Sequence, residues 1–374
     1  MGASGVPILE RIAVTASNGA TVMDYGYVYD AAGNIIERAT EHGAFLYDYD
    51  ALDRLLGATP PAPLLAGANG GLPAERYSYD AVHNRLSSAH QPGNWEYDAN
   101  NRLLGYGTRS GETGFDYDAN GQTVGERQGG GLVEYRYNAS ERLTEVVRNG
   151  TLVARYQYDP FGRRIRKEVA NQVTWFMYGG EGLLAELDAH GQATRLYGWQ
   201  PNSTWGTAPL FQADRVGNAW QASFIHTDHL GTARRMTGRT GVLEWSVETG
   251  AFGAPVHAFA NTKSTPLRFP GQYYDAETGS YYNYTRDYRP QLGRYQQFDR
   301  IGLAGGPNEY LYAGGNPLSY ADPHGEIIWV PLAVMAKAYL GLKNQVQHRL
   351  RIWRSPRPSP RRAFSSRASS WACR

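Results

Sequence analysis

The 374-residue chain is poor in cysteine, in charge and in long apolar runs. Its one cysteine, Cys373, is next to last, which excludes a disulfide framework or a cysteine metal site within one chain. The first residues, MGASGVPILE, hold no charged segment followed by an apolar run, so no secretory signal peptide is expected; Val6 also breaks the myristoylation pattern. Acidic residues are missing altogether from Ile327 to Arg374, while that stretch holds ten Lys or Arg. The net charge of +2 therefore misleads: the first 326 residues hold 27 basic and 35 acidic residues, about −8, and nothing points to nucleic-acid binding by the body. The longest apolar run, IIWVPLAVMAKAYLGL at 327–342, is short and holds Pro331 and Lys337. It reads as a possible helix after Pro331 and not as a membrane span. The basic remainder is low in complexity and reads as disordered.

What is abundant is glycine, with 44 residues, and tyrosine, with 27. Glycine suits turns and tyrosine suits half-buried strands, so the composition leans all-β. A repeat organises both. The segments YVYDAAGNI, YDYDALDRL, YSYDAVHNRL, WEYDANNRL, FDYDANGQTV, YRYNASERL, YQYDPFGRRI and FMYGGEGLL put a second aromatic at Tyr29, Tyr49, Tyr79, Tyr97, Tyr117, Tyr137, Tyr158 and Tyr178. The steps are 20, 30, 18, 20, 20, 21 and 20 residues, the long one carrying the Pro/Gly-rich insertion PPAPLLAGANGGLP. Aromatic-x-aromatic sets two rings on one face of a strand. The following Asp or Asn can bond the backbone two residues on, and Gly or Asn supplies positive φ. Each unit is thus predicted as a hairpin, stable only when stacked on its neighbours. The Tyr rows read first as glue of the sheet and only second as stacking platforms for a ligand.

This repeat resembles the YD repeats of the RHS (rearrangement hotspot) family, over about Tyr25 to Gly325. The segment HTDHLGTARRMT (226–237) is similar to that family's His-Leu-Gly-Thr segment, and residues 269–325 are similar to its repeat-associated core. The resemblance implies an all-β fold: a spiral of antiparallel hairpins forming an open, shell-like sheet around the chain's own C-terminal cargo. It implies lead-in strands over 1–24, YD repeats over 25–200, the associated core over 201–325 and a variable tail over 326–374. The tail holds the toxin position but shows no catalytic constellation, so it reads as a remnant, with a small membrane-active peptide as the alternative. The chain as a whole reads as the C-terminal segment of an RHS protein or a degenerate copy.

Candidate chemistry centres on RDYRPQLGRYQQFD, Arg286 to Asp299. A hairpin pairing centred near Gly293 would set Asp287 opposite Asp299, and two carboxylates that close share a proton. Spacing alone favours a plainer reading, with Asp287 in solvent, Asp299 capping a turn and Arg286 pairing with either. The family resemblance turns the balance. The C-component of ABC toxin complexes carries a self-cleaving aspartyl protease with an Arg-Asp pair and an Asp twelve residues on, which Arg286, Asp287 and Asp299 match. It cuts after Pro-x4-Asp-Pro-x-Gly-Leu. Here Pro317, Asp322, Pro323 and Gly325 match, but Glu326 stands where Leu is expected, placing the implied cut at Glu326–Ile327. A Glu adds negative charge where an apolar side chain suits an acid pair.

His226, Asp228 and His229 invite a metal reading, but no third ligand is indicated and a structural turn is the preferred reading. No cofactor is expected. By resemblance, the chain is made in the bacterial cytoplasm, delivered by a contractile secretion machine or toxin complex, and neutralised by an immunity protein. The rival reading is a non-catalytic structural or adhesive YD scaffold. A glycosidase using the two acids is a third.

Overall fold

The computed structural model describes residues 9–66, 71–88, 91, 93–107, 112–259 and 261–328. The basic tail and most of the apolar run before it lie outside the described residues. Among the described residues every strand pair is antiparallel. Seven strands, from Arg11–Thr15 to Arg85–Ser88, form one sheet, and sixteen, from Asn94–Tyr97 to Pro255–Phe259, form a second. Both run in chain order and together make up the wall, with an isolated bridge between Ser88 and Gln91 at the passage from one to the other.

The wall coils back on itself. Tyr25 Oη donates to Glu248 at 2.9 Å, Arg38 and Arg235 pair with the same carboxylate at 3.1 and 2.9 Å, and the Ala251 N–H donates to Glu75 at 2.8 Å. The fold is therefore the expected open spiral of hairpins.

One device recurs through the wall. In each unit the first aromatic, such as Tyr47, Trp95 or Tyr156, is buried, and the second is half-buried. The strand register slips at that second aromatic, at Tyr49, Tyr97, Tyr137 and Tyr158 among others. Such a bulge disrupts the local ladder and frees carbonyls. The tyrosine hydroxyl reaches back one unit to a carbonyl: Tyr49 to Ile35 at 2.8 Å, Tyr117 to Leu103 at 3.0 Å, Tyr137 to Thr123 at 2.9 Å and Tyr178 to Arg164 at 2.8 Å.

The Asp that follows closes the turn. In the unit at Asp50, Oδ1 accepts the Leu52 and Arg54 N–H groups at 2.9 and 3.0 Å, and Asp53 takes φ of 61°. This is a three-residue hairpin loop whose last residue sits in the left-handed region.

The segment 261–328 forms a plug inside the coil. It contributes a third, four-stranded sheet, Tyr273–Asp275, Ser280–Asn283, Arg286–Arg289 and Arg294–Tyr295. The plug steps backwards along the wall as its own chain advances. Ser264 meets Gln212, Asp275 meets Arg164, Gln296 meets Thr123, Asn308 meets Asn84 and Asn316 meets Asn34. Its core is a tyrosine cluster of Tyr281, Tyr288, Tyr295 and Tyr312 with Phe269.

Candidate functional site

The site lies where the plug's hairpin meets the loop Asp322–Glu326. The loop repeats the wall's turn chemistry: Asp322 Oδ1 accepts the Glu326 N–H at 3.0 Å. The other oxygen, Oδ2, is left for the plug, where it accepts the Tyr295 hydroxyl at 2.8 Å and pairs with Arg286 Nη2 at 3.3 Å.

Arg286 is the hub. It is 3% exposed and lies over the Tyr295 ring, 3.7 Å from its centroid. Its Nη2 also pairs with Asp299 at 2.9 Å, its Nε donates to the Gly325 carbonyl at 2.6 Å, and its Nη1 donates to the Glu309 carbonyl at 2.7 Å. The hydroxyl of Thr285 lies 2.7 Å from both the His324 and Gly325 carbonyls. The backbone just before Glu326 is thus held from two sides. Gly325 permits this: it takes φ of 70°, and a Cβ there would fall 2.7 Å from the Thr285 hydroxyl and 2.6 Å from the Asn283 carbonyl.

Asp299 stands beside the bond of interest. A Cβ built on Gly305 would lie 2.8 Å from Asp299 Oδ2 and 3.2 Å from the Glu326 carbonyl oxygen, so the missing side chain lets both oxygens share one small space. Burial pushes the Asp299 carboxyl up to about 6, and the charges of Asp322 and Glu326 add to the rise against the opposing pull of Arg286. The Glu326 side chain turns to Arg300, 3.4 Å away. Ile327, on the far side of the bond, is exposed.

Asp287 is elsewhere. The hairpin does not centre near Gly293: Tyr288 pairs with Tyr295 and Arg289 with Arg294, so the turn is centred between Gln291 and Leu292. The reason is local. Leu292 and Gly293 both donate to the Arg289 carbonyl, at 3.1 and 2.8 Å, and Gly293, with φ of 66°, closes the turn instead of standing at its middle. Asp287 then falls opposite Gln296, not Asp299. Because strand neighbours alternate, its side chain faces away from that of Arg286. Its carboxylate accepts from Gln297 Nε2 at 2.6 Å. Burial pushes it up to about 6, against the pull of the Gln297 bond and of Arg164.

The structure therefore brings together Arg286, Asp299, Asp322, Gly325 and Glu326, and sets Asp287 apart. Sequence reasoning gave Asp322 no role beyond the motif and missed Tyr295, Thr285 and Gly305. Only the unit-like spacing of Asp322 to Glu326 could have flagged the turn.

The histidine segment is structural in its bonding. His229 Nε2 donates to the Leu318 carbonyl at 2.7 Å with Nδ1 3.2 Å from the Tyr27 hydroxyl, Asp228 pairs with Arg234 at 2.8 Å, and His226 bonds Thr237 at 2.8 Å.

Comparison with known proteins fits this architecture. The Teneurin YD-shell family matches residues 18–302. The chain is 31% identical to the toxin protein Tse5 of Pseudomonas aeruginosa, over 84% of this chain and 28% of that one. It is also 31% identical to the double-stranded DNA deaminase toxin A of Burkholderia cenocepacia, over 80% of this chain and 22% of that one. The chain thus spans about a quarter of the length of these relatives. Among solved structures, a Photorhabdus luminescens Tc holotoxin pore shares the fold at a TM-score of 0.61 and 20% identity, over 84% of this chain and 17% of that one. By its coiled wall of YD hairpins and by these matches, the chain belongs to the Teneurin YD-shell family and is an RHS/YD-repeat protein.

Proposed function

We propose that this chain is the shell-and-plug part of a delivered toxin and that it frees a C-terminal cargo by one intramolecular cut at Glu326–Ile327. The shell part of the reading rests on the family and on the toxin relatives. The cut rests on one observation: the Asp299 carboxyl and the Glu326 carbonyl oxygen flank the same Gly305.

The second acid in this reading is Asp322, because Arg286 Nη2 bridges it to Asp299. Asp299, held neutral up to about pH 6, gives its proton to the Glu326 carbonyl oxygen as water adds to the carbonyl carbon. The Asp322 carboxylate takes the water's proton. The carbon–nitrogen bond then breaks, and the proton passes to the Ile327 nitrogen. Arg286 and Thr285 hold the preceding carbonyl, so the bond is presented without a binding step.

By analogy with the named toxins, the partners are a delivery machine and an immunity protein, and the cargo is the segment after Glu326. The test is the intact mass of the purified chain. The wild type is expected to lose residues 327–374, Asp299→Asn to stay whole and Asp287→Asn to cut. With Asp299 as the acid, cutting slows as pH rises through about 6. A wild type that stays whole at pH 5 defeats the cleavage reading and leaves a non-catalytic YD scaffold.

A further inference from the structure

A second site follows from an exception in the repeat. In three units an arginine four residues after the turn aspartate pairs with that aspartate: Arg54 with Asp50 at 2.6 Å, Arg102 with Asp98 at 2.6 Å and Arg163 with Asp159 at 2.7 Å. In YRYNASERL the turn residue is Asn138. Its Oδ1 still accepts the Ser140 and Arg142 N–H groups, at 2.9 and 3.0 Å, so the turn closes as elsewhere. What the amide cannot supply is the second carboxylate oxygen for Arg142.

Arg142 is 5% exposed, yet among the described residues no carboxylate lies within ion-pair distance of it. Its Nη1 reaches only the Tyr284 carbonyl, at 3.2 Å, and its buried Nε has no partner. A buried cation left this way is costly unless a counter-charge is supplied. Its guanidinium lies in the gap left by Gly162, where a Cβ would come within 2.4 Å of Nη2. It lines a polar cavity of about 640 Å³ between two successive turns, together with Asn138, Glu141, Asp159, Phe161 and Arg300. Asp159 is already paired with Arg163, and Arg300, whose Nε also lies 3.4 Å from Glu326, brings a second guanidinium from the plug.

We propose that this cavity binds a small oxyanion, a phosphate or carboxylate group, between Arg142 and Arg300. Guanidinium groups suit such anions because their N–H groups match two oxygens at once. The site needs no cleavage, although it shares Arg300 with Glu326 at the proposed cut.

The test is calorimetric titration of the full chain with inorganic phosphate, and separately with acetate, at low salt. Neither substitution alters the tail or its arginines, so the difference between variants is what counts. The expected result is phosphate binding that weakens with salt and falls at least roughly tenfold in both Arg142→Gln and Asn138→Asp, the latter by restoring the internal pair. Acetate binding with the same dependence identifies a general oxyanion site, and phosphate binding alone identifies a phosphate site. Should Arg142→Gln fail to fold, Asn138→Asp still decides. Wild type without phosphate binding, or Asn138→Asp binding as tightly as wild type, overturns the proposal.

Discussion

The wall and the plug draw on the same side chains, tyrosine, arginine and aspartate, and use them at different ranges. In the wall, Asp50 serves its own turn and Tyr49 reaches only to Ile35 in the unit before. In the plug, Arg289 reaches Glu126, Asp275 reaches Arg164, and Arg286 joins residues 299, 309, 322 and 325. Apart from the contacts at Glu248 and Glu75 that close the coil, wall chemistry is local and repeated, so it can be lost one unit at a time. Plug chemistry is long-range and unique, so each loss should be felt by the whole molecule.

The largest expected effect comes from breaking the plug's anchor. Asp275 is buried between Arg164, at 2.5 and 3.0 Å, and Lys167 at 2.9 Å. Burial raises its carboxyl, but the two cations overcome this and hold it below the usual range. Asp275→Asn leaves Arg164, 1% exposed, without its counter-charge. A loss of about 3–5 kcal/mol in urea unfolding is expected. A loss under about 1 kcal/mol would mean that the plug is held by packing alone.

Asp287→Asn should act in the opposite direction. A folded-state carboxyl raised to about 6 from an ordinary value near 3.8 contributes stability while neutral, below about pH 4, and loses it as pH rises through 6. At pH 7 the buried charge costs up to about 3 kcal/mol. The variant should therefore unfold later than wild type at pH 7 and no later at pH 4. A gap that does not change with pH would mean that Asp287 is not titrating in this range.

These contrasts explain what the sequence could tell. Wall units were legible because every rule acts within about twenty residues: ring alternation, the Asp turn and the left-handed residue all fall inside one quoted segment. The plug was legible only as a resemblance. Asp299 and the Glu326 carbonyl both flank Gly305, where a side chain would crowd them, and no spacing encodes that. The placing of Asp287 opposite Asp299 failed on two hydrogen bonds to the Arg289 carbonyl, which moved the turn centre and so the register. A shift of this kind changes every partner across a hairpin.

The finest test of the contrast is removal of a single hydroxyl in each region. Tyr137→Phe takes one neutral bond, 2.9 Å to the Thr123 carbonyl, from one wall unit. A cost of about 1 kcal/mol is expected, and nearly the same cost for Tyr49→Phe, because the units are alike. Tyr295→Phe takes a bond to the Asp322 carboxylate at 2.8 Å and also strips Asn283 Nδ2 of an acceptor at 2.7 Å. Hydrogen bonds to charged groups are worth more, so about 2–3 kcal/mol is expected. The same change removes a hydroxyl that holds the Asp322 carboxylate in place beside Arg286. Tyr295→Phe should therefore also slow the cut at Glu326–Ile327, whereas Tyr137→Phe should leave its rate unchanged. Equal stability costs for the three variants would show that range and charge do not separate plug from wall.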